Sequence, residues 1–321
     1  MKTRRLGNTD LELPIISFGA SSLGHAFHYV RPEAGLEAVQ VALELGIHHF
    51  DTSPFYGRGV SEVLLGIALR DVPRDQYTIS TKLGRFGDDH FDFRPERVIE
   101  SVDTSLFRLG TDCLDIVFLH DVEFTDYQRS IDQALPALLK EKQKGKVRNV
   151  GIAGYPFKPL VYALQNHKFD VTLNYNHYTL QNRRLATEMA GVLKQHGVGI
   201  INAAPFAQRL LTSEDLPDWH PADAITREAC REAILYCRSR DMNPAKLCVQ
   251  FSTRCEDLTT CVIGTGKPEN VRNWVKWLDD PYEEEAIREV EKILAPVLDR
   301  NAIFGLPENN DSTSGPLDFS A

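Results

Sequence analysis

Leu114-Asp115-Ile116-Val117-Phe118-Leu119-His120 is a nearly unbroken apolar run. A strand with water on one face alternates apolar and polar residues, whereas a run like this fits a parallel strand covered on both faces. Its flanks agree. Upstream, Val98-Val102-Leu106-Leu109 repeats at helical spacing, opened by Pro95-Glu96 and closed by Gly110. Downstream, Leu135-Leu138-Leu139 marks a second helix, which Lys144-Gly145-Lys146 ends with positive charge. Helix, strand, helix is the repeating unit of a parallel α/β fold.

The same alternation extends in both directions. Residues 15–18, 48–52, 77–82, 147–153, 171–175, 199–204 and 260–264 read as further strands, with helical patterns such as Ala38-Val41-Ala42-Leu45 between them. Eight units in 321 residues give about 40 each, which predicts an α/β (β/α)8 TIM barrel with an extra C-terminal helix and tail. Arg4 to Leu13 reads as a short β-hairpin turning at Gly7-Asn8 and able to plug the barrel bottom. No internal linker is evident, so residues 1–321 read as one domain. Within it, 305–321, rich in Gly, Pro, Asn, Asp and Ser, is expected to be a tail that is loose or ordered on contact. A doubly wound sheet is the alternative, and the lack of G-x-G-x-x-G after the first strand counts against it.

Composition removes several classes of function. A net charge of −9 and a pI near 5.6 speak against nucleic acid or an anionic membrane as main partner. No run approaches a membrane span, and Met1 to Gly7 lacks the apolar core of a signal peptide, so the expected setting is cytoplasmic. The six cysteines contain no Cys-x-x-Cys pair. Cys230 and Cys237, like Cys248 and Cys255, lie two helical turns apart and read as small hydrophobes.

Active groups of such a barrel sit at the C-terminal strand ends. Asp51 ends the second strand, with Tyr56 in the loop after it; Lys82 ends the third and His120 the fourth. Taken singly, each has an ordinary explanation: a turn-forming Asp, a rim Tyr, a satisfied His. Lysine closing an apolar strand is the exception, because a buried lysine needs a partner. Together the four make chemical sense. A phenol titrates near 10 unperturbed, a nearby ammonium brings that value down, an aspartate holds the ammonium, and a neutral histidine donates to a substrate oxygen. Such a set moves one proton on or off a carbonyl or hydroxyl oxygen, and needs a hydride carrier beside it.

Asp51, Tyr56, Lys82 and His120 resemble the Asp-Tyr-Lys-His tetrad of the aldo-keto reductases. The segments Gly46 to Gly57 and Gly145 to Ile152 are similar to that family too, and the resemblance runs from about residue 3 to 278. It implies a barrel, a nicotinamide cofactor and catalysis by those four residues. Among the family's members, Phe18 to Gly24, His120 to Phe124 and Pro217 to Ala222 most resemble the L-galactose dehydrogenase and aldose 1-dehydrogenase type. That implies oxidation of an aldose such as L-galactose or L-fucose at C1 to a lactone, with a small sugar as partner, in a monomer or homodimer.

The resemblance also assigns contacts. The dinucleotide is expected along Gly19, Ala20, Ser21, Asp51, Asn174, Pro205, Phe206, Gly264, Thr265, Gly266, Lys267, Asn270 and Asn273. Glycines before a helix start let backbone amides approach a phosphate. Asn270 stands where members preferring NADP carry an Arg, so NAD is the expected cofactor, with NADP possible through Lys267 and Arg272. Three positions depart from the family: Ala153-Gly154 replaces Ser-Asn, Ala203 replaces a stacking aromatic, and Trp274 replaces an adenine-binding Asn. The substrate is expected against Tyr56, His120, His25, Phe27, Phe91 and Phe124, in pocket walls drawn from 21–29 and the aromatic stretch 86–93.

Other readings stay open at this point: a reductase of small aldehydes or ketones, a non-catalytic nucleotide-binding regulator, and a metal-dependent hydrolase using His49, Asp51, His120 and His177. No metal site is expected, because no His-x-His closes the first strand.

Overall fold

The computed structural model describes residues 1–25, 29–213, 216 and 220–311. Among the described residues, ten strands form two sheets. β1 (Thr3–Arg5) and β2 (Glu12–Pro14) pair antiparallel, Thr3 opposite Pro14. The other eight close into a parallel barrel: β3 (Ile16–Gly19), β4 (His49–Asp51), β5 (Thr78–Leu83), β6 (Leu114–His120), β7 (Val147–Gly154), β8 (Val171–Tyr175), β9 (Gly199–Ala203) and β10 (Thr260–Gly264), with β10 against β3. Every expected strand forms, with ends moved by no more than a residue.

The hairpin is the plug that its sequence suggested. Leu6 and Leu13 are fully buried and join Ile116, Phe118, Val171, Ile201 and Val262 inside the barrel. Gly7 permits this close approach. Its φ is +53°, and a Cβ there would fall 2.4 Å from Gly199 N.

The helices lie outside: α1 (Pro32–Glu44), α2 (Val60–Leu69), α3 (Pro95–Leu109), α4 (Tyr127–Gln143), α5 (Phe157–Asn166), α6 (Ala190–Gln195), α7 (Ala224–Ser239), α8 (Pro244–Arg254), α9 (Pro268–Asp279) and α10 (Glu284–Leu294). The α3 helix illustrates the local logic. Pro95 presets its first turn, Val98 and Val102 face inward, and Gly110 ends it in a left-handed cap whose N–H bonds back to the last turn. Those valines share one core with Val117 and Leu119 on β6 and Leu135 and Leu138 on α4. Each such side chain contributes roughly 1.5–3 kcal/mol by leaving water. A separate core joins α7, α8 and α10 around Cys230, Cys237, Cys248, Ile287 and Leu294. Cys255 departs from the helical expectation, because α8 stops at Arg254 and Cys255 adopts an extended conformation.

The described part of the tail is ordered on contact. Residues 305–311 dock on the barrel, and the rest of the stretch lies outside the described residues. Leu306 N and Asn309 Nδ2 both donate to Glu123 O at 2.9 Å. Asp311 accepts from Phe157 N and Lys158 N at the start of α5, and pairs with Arg184 at 3.3 Å. Polar composition left looseness open, but here the polar groups are what satisfy buried backbone.

Candidate active site

Parallel strands bring their C-terminal ends to one rim, and three adjacent strands carry the charged groups there. Asp51 lies opposite Ser80 in the β4–β5 ladder. Ser80 Oγ donates to Asp51 Oδ1 at 2.7 Å, and Lys82 Nζ donates to Oδ2 at 2.6 Å and to Thr52 O at 2.8 Å. Both partners are buried. Burial alone would strip the lysine proton, yet Asp51 and the Tyr56 phenol outweigh it and hold the ammonium above its ordinary pKa.

Tyr56 follows in a loop whose chain turns through left-handed conformations at Gly57, Arg58 and Gly59. Gly57 packs back to back on Gly24: a Cβ on either would lie 2.4 Å from the other loop's carbonyl oxygen. Lys82 Nζ sits 5.1 Å from the centre of the half-buried Tyr56 ring. Burial raises the phenol pKa, Lys82 opposes it, and the net direction is upward. Lys82 does act in the expected direction, but burial outweighs one ammonium.

His120 closes the set. Its ring meets Tyr56 edge-on at 6.3 Å, and Ser53 Oγ lies 3.4 Å from Nδ1. Burial, then Lys82 and Arg85, push its pKa well below the ordinary histidine value, so it is neutral at neutral pH.

A second cluster abuts the first, and the sequence reading missed most of it. Asp121, at φ 55°, pairs with Arg85 Nη1 at 2.7 Å. The Arg85 guanidinium lies 4.1 Å from the Phe55 ring and 4.5 Å from Phe124, which stacks on Phe91. Glu123 is buried; its Oε1 accepts from Tyr155 N at 2.9 Å, while Oε2 has no partner. A Cβ on Gly154 would stand 2.8 Å from that oxygen. The departure at Gly154 thus has a physical cause: the Glu123 carboxyl fills the space that a side chain would need. Burial and neighbouring Asp121 hold the Glu123 carboxyl well above its usual range. The signal was present as Asp121 and Glu123 flanking a strand end with one nearby arginine.

The Aldo/keto reductase family model matches residues 15–295. The chain belongs to the aldo/keto reductases. It is 37% identical to the L-galactose dehydrogenase of Arabidopsis thaliana over 96% of this chain and 99% of that one. To the D-threo-aldose 1-dehydrogenase of a Pseudomonas species it is 28% identical, covering 80% and 87%. Among solved structures, an aldo-keto reductase from Bacillus halodurans in its holo form superposes with a TM-score of 0.76 at 25% identity, covering 91% and 96%. This aldo/keto reductase is an NAD(P)-dependent oxidoreductase, and its barrel is the barrel of its relatives.

Other expected contacts of the reductase divide into groups. Gly19 and Gly264 face each other across β3 and β10, and a Cβ on Gly264 would lie 2.9 Å from Gly19 O and 3.2 Å from Ser21 Oγ. Beside Ser21, Ala20 O accepts from Ser61 Oγ. Thr265 Oγ1 accepts from Lys267 N at 3.1 Å and Asn270 Nδ2 at 2.9 Å, bracing the turn into α9. That helix starts without a side-chain cap, and Lys267 and Arg272 are exposed beside it. Gly266 packs on Val30, and Asn273 is half-buried on α9. Pro205 and Phe206 follow β9 after a left-handed Ala204, and half-buried Phe206 packs on both helical cores.

Asn174 is committed within the protein. Its amide donates to Gly154 O and Tyr155 O, and its Oδ1 faces His177 Nδ1 at 2.9 Å. His25 is exposed, accepts from Val30 N and stacks on Tyr29, while Phe27 lies outside the described residues. The stretch 86–93 splits: Phe91 reaches the site, but Phe86 and His90 line an outer cavity of about 690 Å³ against α3. The hydrolase ligands disperse. His49 is held by Ser17, and His177 lies between Asn174 and Asn301. Among the described residues, no three metal-binding side chains converge.

Proposed function

We propose that this chain oxidises C1 of an aldose of the L-galactose or L-fucose type to a lactone, with NAD as preferred acceptor. What carries the reading is the convergence of Tyr56, Lys82, Asp51 and His120 at one rim of the barrel, in a chain similar along its length to an L-galactose dehydrogenase.

The residues fit a nicotinamide dinucleotide. A Cβ on Gly264 would fill a backbone cradle at the rim, the uncapped start of α9 offers amide donors, and Lys267 and Arg272 supply cations. Bound there, the dinucleotide supplies the hydride acceptor. Gly19, Ser21, Gly264, Thr265, Gly266 and Lys267 would line it, with Asn270 and Asn273 on α9. Asn270 in place of a cation supports NAD over NADP.

The chain's own groups handle the proton. Tyr56 takes it from the anomeric hydroxyl at its phenolic oxygen. Lys82, fixed by Asp51, lowers the cost of the phenolate, and neutral His120 donates to the same substrate oxygen. Phe91 and Phe124 offer a flat apolar wall for a sugar ring. A raised Tyr56 pKa leaves the phenol mostly protonated at neutral pH, so sugar oxidation should quicken as pH rises. The same protonated phenol favours a second reading, reduction of a small aldehyde with Tyr56 as acid. A panel of aldoses with NAD and NADP, and of aldehydes with the reduced cofactors, followed by nicotinamide absorbance, tests both. Aldose-dependent NAD reduction is expected. Its absence across the panel overturns the dehydrogenase reading, and higher catalytic efficiency with NADP overturns the cofactor preference.

A further inference from the structure

Helix α2 is apolar almost all the way round, a pattern that belongs to a covered helix rather than a surface one. Its ten residues, Val60 to Leu69, include a single charge, Glu62. That carboxylate is fully buried and accepts from Thr81 Oγ1 and Ser105 Oγ at 2.7 Å and from Arg108 Nη1 at 3.0 Å. The flanks of the helix are covered as well. On one side Gln40 of α1 donates to Ala68 O at 2.6 Å; on the other, a Cβ on Gly66 would lie 2.5 Å from Arg108 O of α3. What remains outward is the stripe Val60, Val63 and Ile67, which are 42%, 41% and 41% exposed, with half-buried Leu64 beside it. By contrast, α10 turns Glu284, Arg288 and Lys292 to water.

The ends of the stripe indicate what covers it. Arg58 stands two residues before α2 and Asp71 two residues after it. Both are exposed and, among the described residues, neither has an ion pair or a side-chain hydrogen bond. They carry opposite charges at equal distances along the chain from the helix middle. A second α2 laid antiparallel about a two-fold axis at that middle puts each Arg58 beside the other copy's Asp71. Val63 and Ile67, on either side of the middle, would interlock with their own copies. The same apposition brings Arg70 toward Asp88 and Asp89, which line an outer cavity with Arg58. The face thus holds its own complement, as a two-fold interface requires. An anionic membrane fits less well, because Asp71, Asp88 and Asp89 stand among the arginines.

We infer that the outward face of α2 is a homodimer interface, packed antiparallel on α2 of a second copy, with an Arg58–Asp71 ion pair at each end. The helix begins where the Tyr56 loop ends, so the second copy would brace that loop from outside. One helix pair buries less than the roughly 800 Å² a side of a standard interface, so the dimer is expected to be reversible.

Sedimentation velocity of the full chain, from low to high micromolar concentration, tests this. The parent should pass from monomer to dimer. Val63→Glu should raise the dissociation constant by roughly hundredfold or more, because it places a charge in the centre of the apolar stripe. Arg58→Asp suits the left-handed backbone at that position and should raise the constant by roughly tenfold, as should Asp71→Arg. Combined in one chain, the two exchange their charges across the axis and should restore the parent's value. That rescue keeps the test sound if Val63→Glu fails to fold. A parent that stays monomeric throughout overturns the proposal and leaves the face to another protein. Charge variants that neither weaken nor rescue the dimer overturn it too.

Discussion

Two ionic clusters share the barrel mouth and are balanced differently. In the Asp51–Lys82 cluster one carboxylate meets one ammonium, and each Asp51 oxygen has a donor, Ser80 on one side and Lys82 on the other. In the neighbouring cluster, Asp121 and Glu123 face a single guanidinium, Arg85, and Asp121 Oδ1 and Glu123 Oε2 have no partner. Both clusters are buried, so the charge count decides their behaviour. In the first, Asp51 and Tyr56 hold the Lys82 ammonium above its ordinary pKa, whereas two carboxyls beside one cation cannot both give up their protons cheaply. The first cluster is a fixed electrostatic frame. In the second, burial and neighbouring Asp121 hold the Glu123 carboxyl well above its usual range.

The largest effect should come from removing the group that the matched cluster serves. Tyr56→Phe should lower turnover by about 10²- to 10⁴-fold while the cofactor dissociation constant, read by fluorescence titration, barely moves. Loss of both together would mean that Tyr56 shapes the cofactor site, and that Lys82 poises nothing. Unbalancing the matched cluster comes next. Lys82→Met leaves Asp51 buried without its cation, which should cost about 3–5 kcal/mol in chemical denaturation. Adding Asp51→Asn to it should recover part of that loss. A lysine variant as stable as the parent would show that the two clusters do not differ in the way described.

The contrast also explains what could be read in advance. Strand positions and the tetrad were legible because each rests on local pattern: an apolar run ending in one polar residue announces itself without knowledge of its neighbours. The hairpin plug was legible for the same reason, since Leu6 and Leu13 flank a turn with few other places to go. The Arg85–Asp121–Glu123 cluster was not. Its members come from loops after two different strands, and its meaning depends on Gly154 of a third having no side chain. The Tyr56 shift was misjudged because burial, the larger influence, is a property of the assembled rim. Composition left the tail open between loose and ordered on contact. Asn309 and Asp311 look like solvent-loving residues, but they are the donors and acceptors that the ends of β6 and α5 lack.

The smallest effect is also the one that most sharpens the contrast, because it tests the raised Glu123 carboxyl directly. Glu123→Gln keeps the size of the carboxyl and removes its titration. A carboxyl whose folded pKa lies above its unfolded value of about 4.5 stabilises the fold fully below that value. The contribution is then lost as pH rises through the folded pKa. The parent should therefore lose stability as pH rises above about 4.5 and through the raised folded pKa, in a way the variant does not share. Denaturation midpoints measured side by side across that range should draw apart in favour of the variant at the alkaline end. Parallel curves for Glu123→Gln and the parent would mean that Glu123 is ionised at neutral pH, and that Arg85 serves both carboxylates after all.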